Sequence, residues 1–183
     1  MALAHALIAS LIEEPCSGYD LSKRFGGSVG FFWNASQQQI YRELTKLEAQ
    51  NWISAEVIPQ QSRPDKKLFR VTEFGRKQFI EWITEPCEPT DLRDDLLVKV
   101  FRGYLVPRHI LREELQRHRA THLNKLSVYR DIEQQYFSES QQLAVKDQFV
   151  YMTLRRGLRL ETDAVAWCDE AIELLRQLEV DQE

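Results

Sequence analysis

The chain has 183 residues, 43% of them hydrophobic and 28% charged, with only seven glycines and six prolines. That composition excludes collagen-like, low-complexity and turn-rich β architectures and leaves room for long helices. The net charge of −4 hides a split: residues 1–85 carry 10 basic and 10 acidic side chains, residues 86–183 carry 14 and 18, and residues 33–77 carry 8 and 5. A mildly basic island on an acidic scaffold suits a module that faces a polyanion. No apolar run approaches the ~18 residues that span a bilayer, and no basic n-region opens the chain, so neither a membrane partner nor a secretory leader is expected. Cys16, Cys87 and Cys168 are odd in number and far apart. They form no disulfide framework and no CxxC metal site, and they read as idle thiols of a cytoplasmic protein.

In chain order, Leu3, Leu7 and Leu11, with Ala4, Ile8 and Ile12 one step on, predict a helix over Ala2–Ile12. Pro15 and Gly18 end the connection after it, and Ser17 can cap a short helix, Tyr19–Phe25, with Leu21 and Phe25 inward. Gly26, Gly27 and Gly30 break that helix. Ser36-Gln37-Gln38-Gln39 fits a capping box, in which the Ser36 hydroxyl accepts from the Gln39 amide and the Gln39 side chain reaches back. In the helix that follows, Ile40, Leu44 and Leu47 form the inward stripe. Gln38, Arg42, Thr45 and Ala49 point the opposite way, with Lys46 beside them and Tyr41 on the flank. Trp52–Ile58 reads as a strand, Pro59–Lys66 as a polar loop, and Lys67–Val71 as a second strand. Thr72 then caps a helix to about Thr84.

Pro86 and Pro89 mark a boundary that separates residues 1–85 from residues 86–183. Asp91–Leu105 reads as a helix, and Pro107 suits the first turn of the next, which runs to about Phe137 along Leu111, Leu115, His118, His122, Leu126, Tyr129 and Ile132. The last helix, about Gln141–Leu178, has two apolar seams in a 4-3 rhythm. One is Leu154, Leu158, Glu161, Val165, Cys168, Ile172 and Leu175. The other is Leu160, Ala164, Trp167, Ala171, Leu174 and Leu178. A chain this size cannot wrap both seams, so the second is expected to meet another copy and build a homodimer.

Helix, helix, capped helix, hairpin, helix is the order of a winged helix-turn-helix. The fold expected is mainly α with a small β-hairpin wing: an N-terminal winged helix-turn-helix domain and a C-terminal helical dimerisation domain. A helix that enters the major groove must present small polar or basic side chains while its back is packed by the helices before it. Ser36, Gln37, Gln38, Tyr41, Arg42, Thr45 and Lys46 lie on that helix. Arg63, Lys66, Lys67 and Arg70 of the hairpin supply charge for the adjacent phosphates. Taken singly, the helix also fits a solvated surface helix, and Tyr41 fits either packing or DNA contact.

The segments Ser-Gly-Tyr-Asp-Leu (17–21), Gln-Ile-Tyr-Arg-Glu-Leu-Thr-Lys-Leu-Glu (39–48), Trp52-Ile53 and Arg-Pro-Asp-Lys-Lys-Leu-Phe-Arg-Val-Thr-Glu-Phe-Gly (63–75) resemble the PadR family of bacterial transcriptional regulators. That family has G-Y-[DE]-L at its second helix, I-Y-x-x-L-x-x-L-E on its recognition helix and a G-R-P-x-[KR]-x-Y-x-[LV]-T-x-x-G wing. Leu-Val-Lys-Val-Phe (97–101) and the helical remainder are similar to the virulence-activator-like subfamily. The resemblance implies transcription regulation by a homodimer on a double-stranded operator, often with a small-molecule effector that weakens operator binding. It puts Tyr41 at the recognition-helix tyrosine and Arg63 and Pro64 at the wing tip. Ser62 stands where the family has glycine, and Arg42 where a proline often follows the tyrosine.

The reading is therefore a sequence-specific DNA-binding regulator, a repressor of a palindromic operator, with no cofactor. The alternative is a winged-helix module that binds another protein and no DNA. An enzyme is not expected, because no GxSxG, P-loop, HExxH or paired-carboxylate pattern is present. His118 and His122 stand at i, i+4, a spacing open to metal binding, but they read as a polar interruption of an apolar seam. Trp33 and Trp167 are aromatics suited either to core packing or to lining an effector pocket.

Overall fold

The computed structural model describes residues 2–27, 33, 35–59, 65–89, 91, 93–138 and 143–180. It divides into two compact units, Met1–Pro89 and Thr90–Glu183.

The first unit contains α1 (Ala2–Leu11), β1 (Cys16–Ser17), α2 (Gly18–Gly27), α3 (Gln37–Ala49), β2 (Ile53–Ile58), β3 (Lys66–Val71) and α4 (Glu73–Thr84). Its core is the expected set of stripes: Leu7, Ile8 and Leu11 of α1, Leu21 and Phe25 of α2, and Ile40, Leu44 and Leu47 of α3 are buried together with Ile53 and Phe69. The sheet is antiparallel in the order β1-β3-β2. The hairpin read from sequence thus gains a third strand, Cys16–Ser17, paired with Leu68 and Phe69. Two residues are too few to display an alternating pattern, so β1 exists through its pairing and not through its own sequence signal.

Backbone chemistry fixes where α3 ends and the sheet begins. Asn51 adopts φ 60°, a left-handed conformation that asparagine tolerates better than most residues. The Asn51 amide donates to the Glu48 carbonyl (3.0 Å) and the Trp52 amide to the Leu47 carbonyl (2.9 Å), closing a Schellman turn. The Trp52 carbonyl then accepts from the Thr72 amide at 3.0 Å. The Thr72 hydroxyl lies 2.6 Å from the Asn51 carbonyl and 3.1 Å from that of Trp52, and it accepts from the Gly75 amide at 2.9 Å as the cap of α4. A Cβ at Gly75 would stand 2.0 Å from the Trp52 carbonyl oxygen, so glycine is required by a close backbone approach. Nearby, His5 of α1 is buried and stacks on Trp82 with ring centroids 4.1 Å apart.

The second unit contains α5 (Asp95–Phe101), a 3-10 turn at Gly103–Leu105, α6 (Arg108–Phe137) and α7 (Val145–Val180). The single helix expected over Asp91–Leu105 is shorter and divided. Asp94 caps α5 by accepting from the Leu96 amide (2.8 Å), and α5 ends before the 3-10 turn. The last helix was expected from Gln141; α7 begins at Val145, and residues 139–142 lie outside the described residues. The predicted spine of α6 is inward: Leu111, Leu115, Leu126 and Tyr129 are buried. Polar pairs also join α6 to α7: His122 Nδ1 to Glu161 (2.6 Å), Tyr151 hydroxyl to Glu133 (2.7 Å) and Arg119 to Asp169 (2.5 Å).

Two tests follow from these contacts. Gly75→Ala should destabilise the first unit by about 1–3 kcal/mol, since neither backbone can yield cheaply; a thermal melt matching that of the unaltered chain would remove the close-approach argument. In the second unit, Arg117 and then Lys99, hydrogen-bonded to Glu114, hold its carboxyl down at about 2, from the usual 4.5. That stabilisation is present above pH 4.5 and is lost as pH falls toward 2. Glu114→Gln should flatten the acid limb of the melting temperature over that range; an unchanged limb would show that the pairs contribute nothing.

Candidate nucleic-acid interface

Ser36 accepts from the Gln39 amide (3.2 Å), and the Gln39 carboxamide oxygen accepts from the Ser36 amide (2.8 Å), so the predicted capping box is complete. This cap uses the carboxamide oxygen of Gln39 and leaves its NH2 group exposed. With Ile40, Leu44 and Leu47 locked into the core, Gln38, Arg42 and Thr45 are exposed on the opposite face with Lys46 beside them, as the wheel requires, and Gln37 is exposed in the first turn. The Thr45 hydroxyl donates to the Tyr41 carbonyl (3.1 Å), which leaves its methyl and its acceptor lone pairs available.

Tyr41 is 41% exposed and lies against the start of α2. A Cβ on Gly18 would stand 2.6 Å from Tyr41 Cε1. The glycine of the Gly-Tyr-Asp-Leu segment therefore makes room for a ring that is half packed and half presented.

The charged residues sort by type. Lys46 pairs with Glu43 (2.9 Å), Lys66 with Asp20 (3.0 Å) and Lys67 with Glu48 (2.7 Å). Lys67 also sits over the Phe69 ring, 5.4 Å from its centroid. Arg42 and Arg70, both exposed, have no acidic partner among the described residues. The Asp20 carboxyl is held below the usual carboxylate range, first by the Ser17 hydroxyl donating to it (2.7 Å) and then by Lys66. Arg63 of the predicted wing tip lies outside the described residues.

Three residues of this surface escaped the sequence reading as site residues: Gly18, Asp20 and Glu48. Each occurs inside a quoted motif, but only the fold brings Asp20 and Glu48 to the wing lysines.

The second seam of α7 is not one free strip. Leu160, Leu174 and Leu178 are 50%, 53% and 50% exposed. Trp167 and Ala171, however, pack against the cluster of Leu96, Leu111, Leu115 and Ile172 within the same chain. This corrects the expectation of a continuous intermolecular seam through Trp167. The cluster combines Leu96 of α5, with Val100 packed against it, and Leu111 and Leu115 of α6. Ala164 is half-buried. Beside the 3-10 turn, a groove of about 650 Å³ joins apolar Leu105, Val106 and Ile110 to Lys99, Arg102, Arg117, Glu113 and Glu114, with Lys99 and Arg117 both paired to Glu114. Trp33, the other proposed pocket aromatic, is 37% exposed.

Two family models match the chain: the transcriptional regulator PadR-like family over residues 7–81, and the virulence activator alpha C-terminal domain over residues 92–176. A probable transcriptional regulator of Mycobacterium tuberculosis is 37% identical over 97% of this chain and 99% of its own length. Among solved structures, Bacillus subtilis PadR in complex with operator DNA aligns with a TM-score of 0.81 at 23% identity, over 96% of this chain and 99% of that one. The same protein in complex with p-coumaric acid aligns at 0.76 and 22%, with the same coverage. The Vibrio cholerae virulence activator AphA aligns at 0.77 and 27%, over 96% and 99%.

Proposed function

Because the chain belongs to the PadR-like family of transcriptional regulators, we propose that it acts as a sequence-specific repressor, reading a palindromic duplex operator as a homodimer in the cytoplasm. The family is one of regulators and not of enzymes. The observation that carries the reading is α3. It is capped at Ser36, backed by α1 and α2, and turns Gln38, Arg42, Thr45 and Lys46 to solvent, with Arg42 free of any acid among the described residues. Gln38 and Arg42 are assigned to base edges in the major groove. Arg70, Lys66 and Lys67 are assigned to phosphates, together with Arg63 of the wing tip. An effector is part of the proposal, supported by the p-coumaric acid complex of the Bacillus protein. In the groove of the second unit, Arg102 beside Leu105 and Val106 is the cation left to meet an anion with an apolar body, since Lys99 and Arg117 are paired with Glu114.

The dimer is assigned to the C-terminal helices, at the half-exposed Leu160, Leu174 and Leu178 of α7, with Ala164 between them. Trp167 and Ala171 serve the interface from below, by fixing α7 on its own cluster. Two-fold symmetry lets one surface satisfy both partners and holds two recognition helices about 34–36 Å apart, one turn of duplex.

A selection for the preferred duplex on purified protein tests DNA binding itself. Arg42→Ala should then cost about 1–3 kcal/mol of discrimination at one base pair and leave affinity for unrelated duplex nearly intact. Full preference for the selected site in that variant would remove Arg42 from the readout. Sedimentation at nanomolar concentration should give a dimer for the unaltered chain and monomer for Leu174→Asp plus Leu178→Asp. A dimer that survives both changes would place the interface elsewhere.

A further inference from the structure

Each lysine assigned to the DNA-facing surface is closed by a carboxylate at 2.7–3.0 Å, while Arg42 and Arg70 are left open among the described residues. Two of the three pairs link different elements. Lys67 of β3 meets Glu48 on the flank of α3, and Lys66 of β3 meets Asp20 in the first turn of α2. These are contacts made by the fold, unlike the local Lys46–Glu43 pair three residues apart. We propose that Glu48 and Asp20 are specificity-determining residues, internal counter-ions that keep the wing lysines neutral toward DNA in general and yield them only where the duplex seats closely. The proposal rests on the DNA-binding reading above.

The physics is that of counterion release. Sequence-independent affinity grows with the number of cations free to neutralise phosphates and to expel condensed salt ions. A lysine already held by a carboxylate gains little on moving to a phosphate, because it exchanges one anion for another and leaves the first facing the backbone. Of the two open arginines, Arg70, assigned to phosphate, carries the full effect, whereas Arg42 is turned to base edges, where its planar fork suits paired recognition and an ammonium would act only as a point charge. The side chains of these two pairs are 35% to 46% exposed, and such pairs are worth no more than about 1 kcal/mol. A closely docked duplex can therefore open them, while a passing one gains nothing from doing so. The same pairs read as tethers would position the wing, and the two roles predict opposite signs when the carboxylate is neutralised.

The test uses the full chain, a duplex obtained by selection and a scrambled duplex, with affinity measured across a salt titration. Glu48→Gln should bind the scrambled duplex about three- to fivefold tighter, with a log–log salt slope steeper by about 0.9. Affinity for the selected duplex should change less, so that the specificity ratio falls. In the unaltered background, Lys67→Met should change the scrambled-duplex slope less than Arg70→Ala does. Glu48→Gln combined with Lys67→Met should return scrambled binding to the unaltered level. Weaker or unchanged scrambled binding by Glu48→Gln would overturn the proposal. So would an enhancement that persists in the double variant, since it would then be an effect of overall charge. Asp20→Asn with Lys66→Met repeats the cycle on the other side of the wing. If the unaltered protein binds no duplex in a salt-dependent way, the functional reading fails and this one with it; if it binds but Glu48→Gln has no effect, only the counter-ion role falls.

Discussion

The first unit hangs on the backbone of Trp52. Its amide closes the Schellman turn that stops α3, and its carbonyl receives the Thr72 amide at the end of β3. The same oxygen stands so near Gly75 that α4 can seat only without a side chain there. One residue's backbone thus joins the end of α3, the start of β2, the end of β3 and the first turn of α4. Buried or half-buried backbone hydrogen bonds cost far more to break than exposed ion pairs do. The base of the wing is accordingly set against α3 by main chain, and the Lys67–Glu48 pair is not needed to hold it there. That frees the pair for an electrostatic role.

The arrangement of charge on this surface has the same logic. The chain as a whole is acidic, and residues 33–77 exceed neutrality by only three charges. A surface so weakly basic cannot hold DNA by bulk attraction. What it offers is placement: a capped helix whose arginine is open, and a strand whose arginine is open, each on a well-packed scaffold.

Much of this was legible in residue pattern. The capping box at Ser36, the Thr72 cap, the buried stripes of α1 to α3 and the inward spine of α6 all rest on periodicity or on local hydrogen-bond chemistry, which are carried by neighbours in sequence. What escaped depends on distant partners. β1 is two residues long and is defined by β3. The glycines at 18 and 75 look like turn residues until the ring of Tyr41 and the carbonyl of Trp52 are seen beside them. Asp20 and Glu48 look like ordinary helix carboxylates, since nothing in a one-dimensional pattern sets them 3.0 and 2.7 Å from Lys66 and Lys67. The break between α5 and the 3-10 turn was missed because the apolar rhythm continues through it.

In the second unit the apolar pattern of α7 runs on two faces, but the unit assigns them unequal tasks. The face toward α6 carries polar cross-links, among them His122–Glu161, Tyr151–Glu133 and Arg119–Asp169. Slipping one helix by a turn, about 5.4 Å, would part all of them at once, so they specify register in a seam that leucines alone would leave degenerate. The other face is divided where Trp167 and Ala171 pack into the cluster that α5 and α6 share with α7, which leaves exposed leucines on either side, at 160 and at 174 and 178. In the proposed dimer a partner would then meet two separated apolar patches and not one stripe. Two patches at fixed spacing constrain the crossing of the partner helix more tightly than a continuous stripe, which tolerates sliding. A regulator whose half-site spacing depends on the geometry between its two copies gains directly from that constraint.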